Sequence, residues 1–261
     1  MKAYWDVFIT SLKNNLVREF IYRTNTFALT IADFVWVFVE LAFFEVIYQN
    51  TISINGWNRN ETFFFLGVFI ASDSLFTIFF QRAFWTLPYM VAHGDLDILL
   101  TKPVGAIFLA TFRDINFSQA INTIAGFAIL LHYGPTAGFQ GGAQWILLGF
   151  WMLVGLAAQY LLRFFFVIWV FWLERGITVS RLYYQFYALA NKPSGLYPKA
   201  IRFILKTALP FAFLGSVPAE TLMGRSPPGI YLLVIGVLAA YSILIAELWK
   251  AGLRRYQSAS S

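Results

Sequence analysis

The chain has 261 residues and is 59% hydrophobic and 20% aromatic, with 12% charged residues against the roughly 25% usual in a soluble domain. This excludes a soluble globular protein and reads as an all-α integral membrane protein, its Phe, Trp and Tyr suited to the two membrane interfaces. The formal charge of +6 does not indicate nucleic acid, because the basic residues sort by membrane side, and the absence of Cys removes disulfide frameworks and cysteine metal sites.

Residues 1–24 are amphipathic. Trp5, Phe8, Ile9, Leu12, Leu16 and Phe20 recur at helical spacing, while Lys13, Asn14, Arg18 and Arg23 take other faces, the pattern of a helix lying in the interface plane. The opening Met1-Lys2-Ala3-Tyr4-Trp5-Asp6 has no apolar run and small-residue cleavage site, so no cleaved signal peptide is expected. A first span is expected over 27–48, long enough at ~1.5 Å per residue to cross a ~30 Å core. Unusually, it carries Asp33, Glu40 and Glu45. A polar loop over 49–61 leads to a second span over 62–80, with Ser72-Asp73-Ser74 near its middle.

The segment 92–104 is polar, tightly bounded and set between spans. Gly94 can end the incoming helix in a left-handed conformation, Asp95 is a good N-cap, and Pro103 denies the new helix a continuation. A helix of roughly two turns with Leu96, Ile98, Leu99 and Leu100 as its apolar payload reads as a docking element or as an ordinary interfacial loop helix.

A third span is expected over 115–133, its stripe of Asn116, Ser118, Gln119 and Asn122 facing other helices rather than lipid. The fourth runs over 145–172 and is interrupted by Arg163, which lies near the boundary and can snorkel. Residues 174–200 read as a polar, basic loop. A fifth span starts at Ile201 and stops at Pro210, about nine residues and ~14 Å, under half the core. Residues 210–224 stay apolar while breaking the helix, which indicates a re-entrant element on the far side. A sixth span covers 230–249.

With six spans, sixteen of the nineteen Lys and Arg fall on one side, two (Arg59 and Arg225) on the other and one (Arg163) within a span. The positive-inside rule then puts both termini and the 92–104 helix in the cytoplasm of a cell membrane.

The chain has no Gly-x-x-x-x-Gly-Lys-Ser/Thr and hence no P-loop, and no His-Glu-x-x-His; two His and no Cys make a transition-metal site improbable. His93 reads as a polar loop residue rather than a base. Charged residues inside spans are functional candidates by default. Asp33 lies roughly 9 Å inside the cytoplasmic face, with Glu40 and Asp73 near mid-membrane. Either these acids line a path favouring cationic or amphipathic cargo, or they pair internally with Arg163 or with Asn, Ser, Tyr and Trp.

Gly94-Asp95-Leu96-Asp97-x-Leu99-Leu100-x-x-Pro103-Val104 resembles the coupling segment of one branch of the ABC type-2 exporter permeases. Leu196-Tyr197-Pro198, Leu209-Pro210-Phe211-Ala212-Phe213 and Val217-Pro218-Ala219-Glu220-x-Leu222-x-Gly224 resemble the same branch's fifth span and outer turn, and Asn55-Gly56-Trp57 to Glu61 is also similar. The resemblance covers essentially the whole chain. It implies one permease domain with a connector helix over 1–24, six spans, a pairing with a second permease, and separate ATP-binding subunits that hold ATP and Mg. It further implies ATPase coupling at Gly94, Asp95, Leu96, Asp97, Leu99, Leu100 and Pro103, and an outer gate at Pro210, Pro218 and Glu220. An intramembrane lipid-modifying enzyme and an ion-coupled secondary transporter are the competing readings.

Overall fold

The structure is a computed structural model that describes residues 2–173 and 176–256. Arg175 of the expected basic loop therefore lies outside the described residues. Helix α1 (Lys2–Ile21) turns at Tyr22 into α2 (Arg23–Asn50). Helix α2 is mostly uncovered: Phe27, Phe34, Trp36, Phe38 and Val46 are exposed, whereas Val37 and Phe44 reach the core. An outward apolar surface of this extent suits contact with lipid. Beyond it, Asn55 (φ 49°) and Gly56 (φ 82°) reverse the chain between β1 (Ser53–Ile54) and β2 (Trp57–Asn58). Asn-Gly is the pair that accepts two successive positive φ values in a tight hairpin.

Asn58 then caps α3 (Arg59–Phe76), its side chain accepting from the Glu61 backbone N–H while the Glu61 carboxylate accepts from that of Asn58. The helix passes through a π turn at Thr77–Gln81 into α4 (Arg82–His93). The result is one unbroken 35-residue rod, Arg59–His93, about 52 Å long at ~1.5 Å per residue. A π turn frees backbone carbonyls from the regular ladder; that of Ile78 accepts the Asn116 N–H at 2.8 Å. The chain continues through α5 (Leu96–Leu100) and α6 (Ala106–Phe112) to α7 (Ala120–Tyr133), α8 (Ala143–Val167) and α9 (Gly176–Tyr187). Then follow α10 (Lys199–Lys206), α11 (Ser216–Leu222) and α12 (Ile230–Arg255).

Among the described residues four helices are long and apolar enough to cross a membrane: Thr26–Asn50, Arg59–His93, Ala143–Phe171 and Ile230–Arg255. Helix α7, the expected third span, has 14 residues and lies backbone to backbone against α3. A Cβ on Gly67 would stand 2.5 Å from the Leu130 nitrogen, and one on Gly126 would stand 2.5 Å from that of Ala71. Where lipid competes equally for apolar side chains, such small-residue contacts hold helices together by close packing.

The stretch after α8 differs from the expected loop and fifth span. Along α9 and the turn after it, Tyr184 meets Gln81 and Trp85, Tyr187 meets Phe69, Asn191 meets Glu40, and the Leu196 carbonyl accepts from Asn55. The segment thus climbs antiparallel to the long rod and delivers residues 191–198 to the β-hairpin end, where Gly195 lies against the Trp57 indole. It is not a loop at the Gly94 end, and the following segment is not a span that begins at Ile201. Residues 199–222 fold back into the bundle from the hairpin end: Gly155 in mid-α8 meets Phe213 and Leu214, and Gly215 meets Phe65 and Phe69. The chain then returns to the hairpin, where Arg225 donates to the Gly56 carbonyl and pairs with Glu61. Lys192, Lys199, Arg202 and Lys206 accordingly leave the Gly94 end. The bias survives in weaker form, with eleven described basic residues at the Gly94 end and six at the hairpin end.

Candidate functional site

At the foot of the rod, Gly94 adopts φ 83° and stops α4. Asp95 follows, but its side chain makes no capping bond, and α5 is a five-residue helix rather than two full turns. Its four apolar residues divide. Leu96 and Leu99 are buried with Phe84, Leu87 and Val91 in a core cluster at this end, whereas Ile98 and Leu100 are 58% and 41% exposed. Burying a leucine contributes roughly 1.5–3 kcal/mol, so Leu96 and Leu99 anchor α5 to the rod and Ile98 and Leu100 are its free face. Asp97 is half-buried, and Thr101, Lys102 and Pro103 are exposed. His93 bonds through Nδ1 to the Tyr89 carbonyl at 2.8 Å, one turn back on its own helix.

Helix α1 braces this end. The Tyr4 hydroxyl accepts the Gly105 N–H at 3.2 Å, Tyr4 and Phe8 meet Phe108 and Phe112 edge-on, and Arg18 pairs with Asp114 at 2.8 Å. The buried residue of α1 is the polar Asn15, which donates to the Arg113 carbonyl at 2.9 Å. Trp5 and Phe20, expected on the apolar face, are exposed.

Farther up the rod, Asp33 and Glu40 of α2 and Asp73 of α3 converge on one cavity of about 340 Å³. Each carboxylate meets an amide: Gln119 donates to Asp33, Asn191 to Glu40 at 3.3 Å and Gln159 to Asp73 at 2.7 Å. The polar stripe of Asn116, Ser118, Gln119 and Asn122 lines the same space, as do Trp36, Phe69, Trp85 and Tyr187. Thr77 and Gln81 of the π turn lie along it, and Arg82 is its basic residue.

Arg163 does not pair with these acids. It is 2% exposed, stacks at 4.5 and 4.3 Å on Tyr183 and Tyr184, and donates to the Tyr184 hydroxyl at 2.6 Å and the Ser180 carbonyl at 3.4 Å. No ion pair among the described residues involves it. Arg163 is therefore a buried, stacked cation and not one snorkelling to a boundary. At the hairpin end, Pro210 and Pro218 are buried in the segment that folds back into the bundle, and the Glu220 carboxylate accepts from Lys206 of α10 at 2.8 Å and from the Ser194 hydroxyl at 3.2 Å.

Sequence reasoning missed Trp36, Tyr187 and Asn191 as cavity residues and Gln159 as the amide that holds Asp73. Gln159 left a signal, being the polar neighbour of Arg163 at four-residue spacing in an otherwise apolar span. Tyr187 and Asn191 left none, because they sit in the stretch that read as a loop. Among the described residues no cluster of His, Asp or Glu is suited to a metal ion.

A family model described as ABC-2 family transporter protein matches residues 34–260. Comparison with curated proteins and with solved structures gives no match. The chain belongs to the ABC-2 transporter family: it is a multi-pass membrane protein and a permease subunit of an ABC transporter.

Proposed function

We propose, from its membership of the ABC-2 transporter family, that this permease exports a hydrophobic, amphipathic or cationic substrate from the cytoplasm. ATP hydrolysis on separate ATPase subunits drives the export, and those partners hold ATP and Mg. A second permease, identical or sister, completes the path. Both termini and α5 face the cytoplasm of a cell membrane, a reading supported by the eleven-to-six basic bias.

One observation carries the mechanism: α5 sits at the foot of the same unbroken rod that lines the acidic cavity. Ile98 and Leu100 offer an apolar face to a groove on the ATPase, a helix-in-groove contact, flanked by Asp95, Asp97, Lys102 and Pro103. Leu96 and Leu99 transmit a push on that face into α4. The π turn between foot and cavity is a place where the rod can change its winding. The re-entrant segment over 210–224, with Pro210, Pro218 and the Lys206–Glu220 pair, acts as the outer gate.

The test is ATPase stimulation in the reconstituted complex. Ile98→Asp with Leu100→Asp is expected to abolish stimulation while leaving membrane insertion intact. Unchanged stimulation, or transport driven by an ion gradient with no ATPase present, would overturn the proposal in favour of the secondary-transporter reading.

A further inference from the structure

The cavity between α2, α3, α7 and the end of α9 is rich in acceptors beyond what its own residues use. Its three carboxylates receive one amide N–H each from Gln119, Asn191 and Gln159, and Asp73 also accepts from the Tyr187 hydroxyl. An ionised carboxylate offers about four lone-pair sites, so each keeps spare capacity. Asn122 supplies an independent sign. It is 4% exposed, its Nδ2 is committed to Gln119 at 2.8 Å, and its buried Oδ1, on a residue that lines the cavity, has no partner. The Oδ1 of Asn191 is likewise buried and unpartnered. An unpaired buried acceptor leaves its desolvation uncompensated, a loss that a ligand bearing N–H groups would recover. The cavity holds one basic side chain, Arg82, against three acids, and Lys192 approaches Glu40 from outside the lining. Trp36, Phe69, Trp85 and Tyr187 add aromatic walls, the surface over which a cation is held in place of water.

We infer that this cavity is a binding site for an organic ammonium ion with an apolar or aromatic body. The ammonium N–H groups lie among Asp33, Asp73 and the Asn122 Oδ1, and the body rests on the aromatic walls. A volume of about 340 Å³ lies at the lower end of small-molecule sites and fits a compact amine rather than a lipid or polymer. This rests on the permease reading and narrows its substrate class.

The experiment uses the full chain in phosphatidylcholine nanodiscs without ATPase, and measures by calorimetry the binding of 1-naphthylmethylammonium and its neutral isostere 1-naphthylmethanol. The ammonium ion is expected to bind at least about tenfold more tightly than the alcohol, the difference that one hydrogen bond to a charged group supplies. Asp33→Asn and Asn122→Leu are each expected to weaken ammonium binding about tenfold and leave alcohol binding unchanged. Asp33 sits on the mostly exposed α2 and keeps the test informative where the Asn122 variant disturbs packing. Equal affinity for the two probes, or ammonium binding indifferent to Asp33→Asn, would overturn the inference. ATPase stimulation by the same variants is scored separately in the reconstituted complex, so a failed binding test with intact stimulation removes the substrate class and leaves the permease reading standing.

Discussion

Leu99 and Ile98 are neighbours in sequence with opposite duties, and the difference can be measured. Leu99 is 5% exposed and Ile98 58%. By spacing alone Leu96, Ile98, Leu99 and Leu100 form one apolar payload; only tertiary packing decides which two point inward. Leu99→Ala is expected to cost about 2–5 kcal/mol of stability through cavity formation, seen as a lower melting temperature of the purified protein. Ile98→Asp should leave that temperature unchanged and lose ATPase coupling. Arg163 gives a second residue-scale test. Its guanidinium lies over two tyrosine rings, a geometry that a lysine ammonium does not reproduce. Arg163→Lys is expected to lower stability by about 1–2 kcal/mol, whereas an equal melting temperature would show that the stacking contributes nothing.

Long apolar elements announce themselves, and α2, α3, α8 and α12 are legible from hydropathy; the continuation of α3 through the π turn into α4 is not, since the expected second span ends at 80. The foot of the rod is legible, because Gly94 and Pro103 act through local backbone sterics that need no tertiary context. Helix α9 was not legible. Arg181, Tyr183, Tyr184 and Gln185 lower its hydropathy to that of a loop, yet Tyr183 is buried and meets Phe166 edge-on and Phe211 at a tilt inside the bundle. A helix whose polar groups are satisfied by other helices escapes a scale built for contact with lipid. The same blindness hid Tyr187 and Asn191 from the cavity list, while the polar stripe on α7 remained visible because it interrupts a long apolar run. The α3–α7 pair is the element most sensitive to side-chain volume. Gly126→Leu would drive a side chain into the Ala71 backbone and is expected to cost at least about 1–3 kcal/mol, with Gly149→Leu, which meets open space, as the neutral comparison in the same thermal assay.

Across the whole molecule, the climb of α9 antiparallel to the rod makes a topological prediction that the chain is well suited to test, since it has no native Cys. Single cysteines at Lys192, Arg202 and Asn55 should react with a membrane-impermeant maleimide from one side of sealed vesicles, and a cysteine at Lys102 from the other. Labelling of the Lys192 and Lys102 positions from the same side would contradict the climb of α9. Three features lie along one rod: an exposed apolar foot, a π turn and an acceptor-rich cavity. We propose that α5 at its foot is the surface on which a separate ATPase acts. The most direct measurement is site-specific crosslinking in native membranes, with Ile98→p-benzoylphenylalanine as the probe, the lipid-facing Phe38→p-benzoylphenylalanine as the control, and mass spectrometry to identify the partner. Position 98, and not position 38, is expected to capture a chain carrying Gly-x-x-x-x-Gly-Lys-Ser/Thr. Capture of no such chain, or equal capture from both positions, would contradict it.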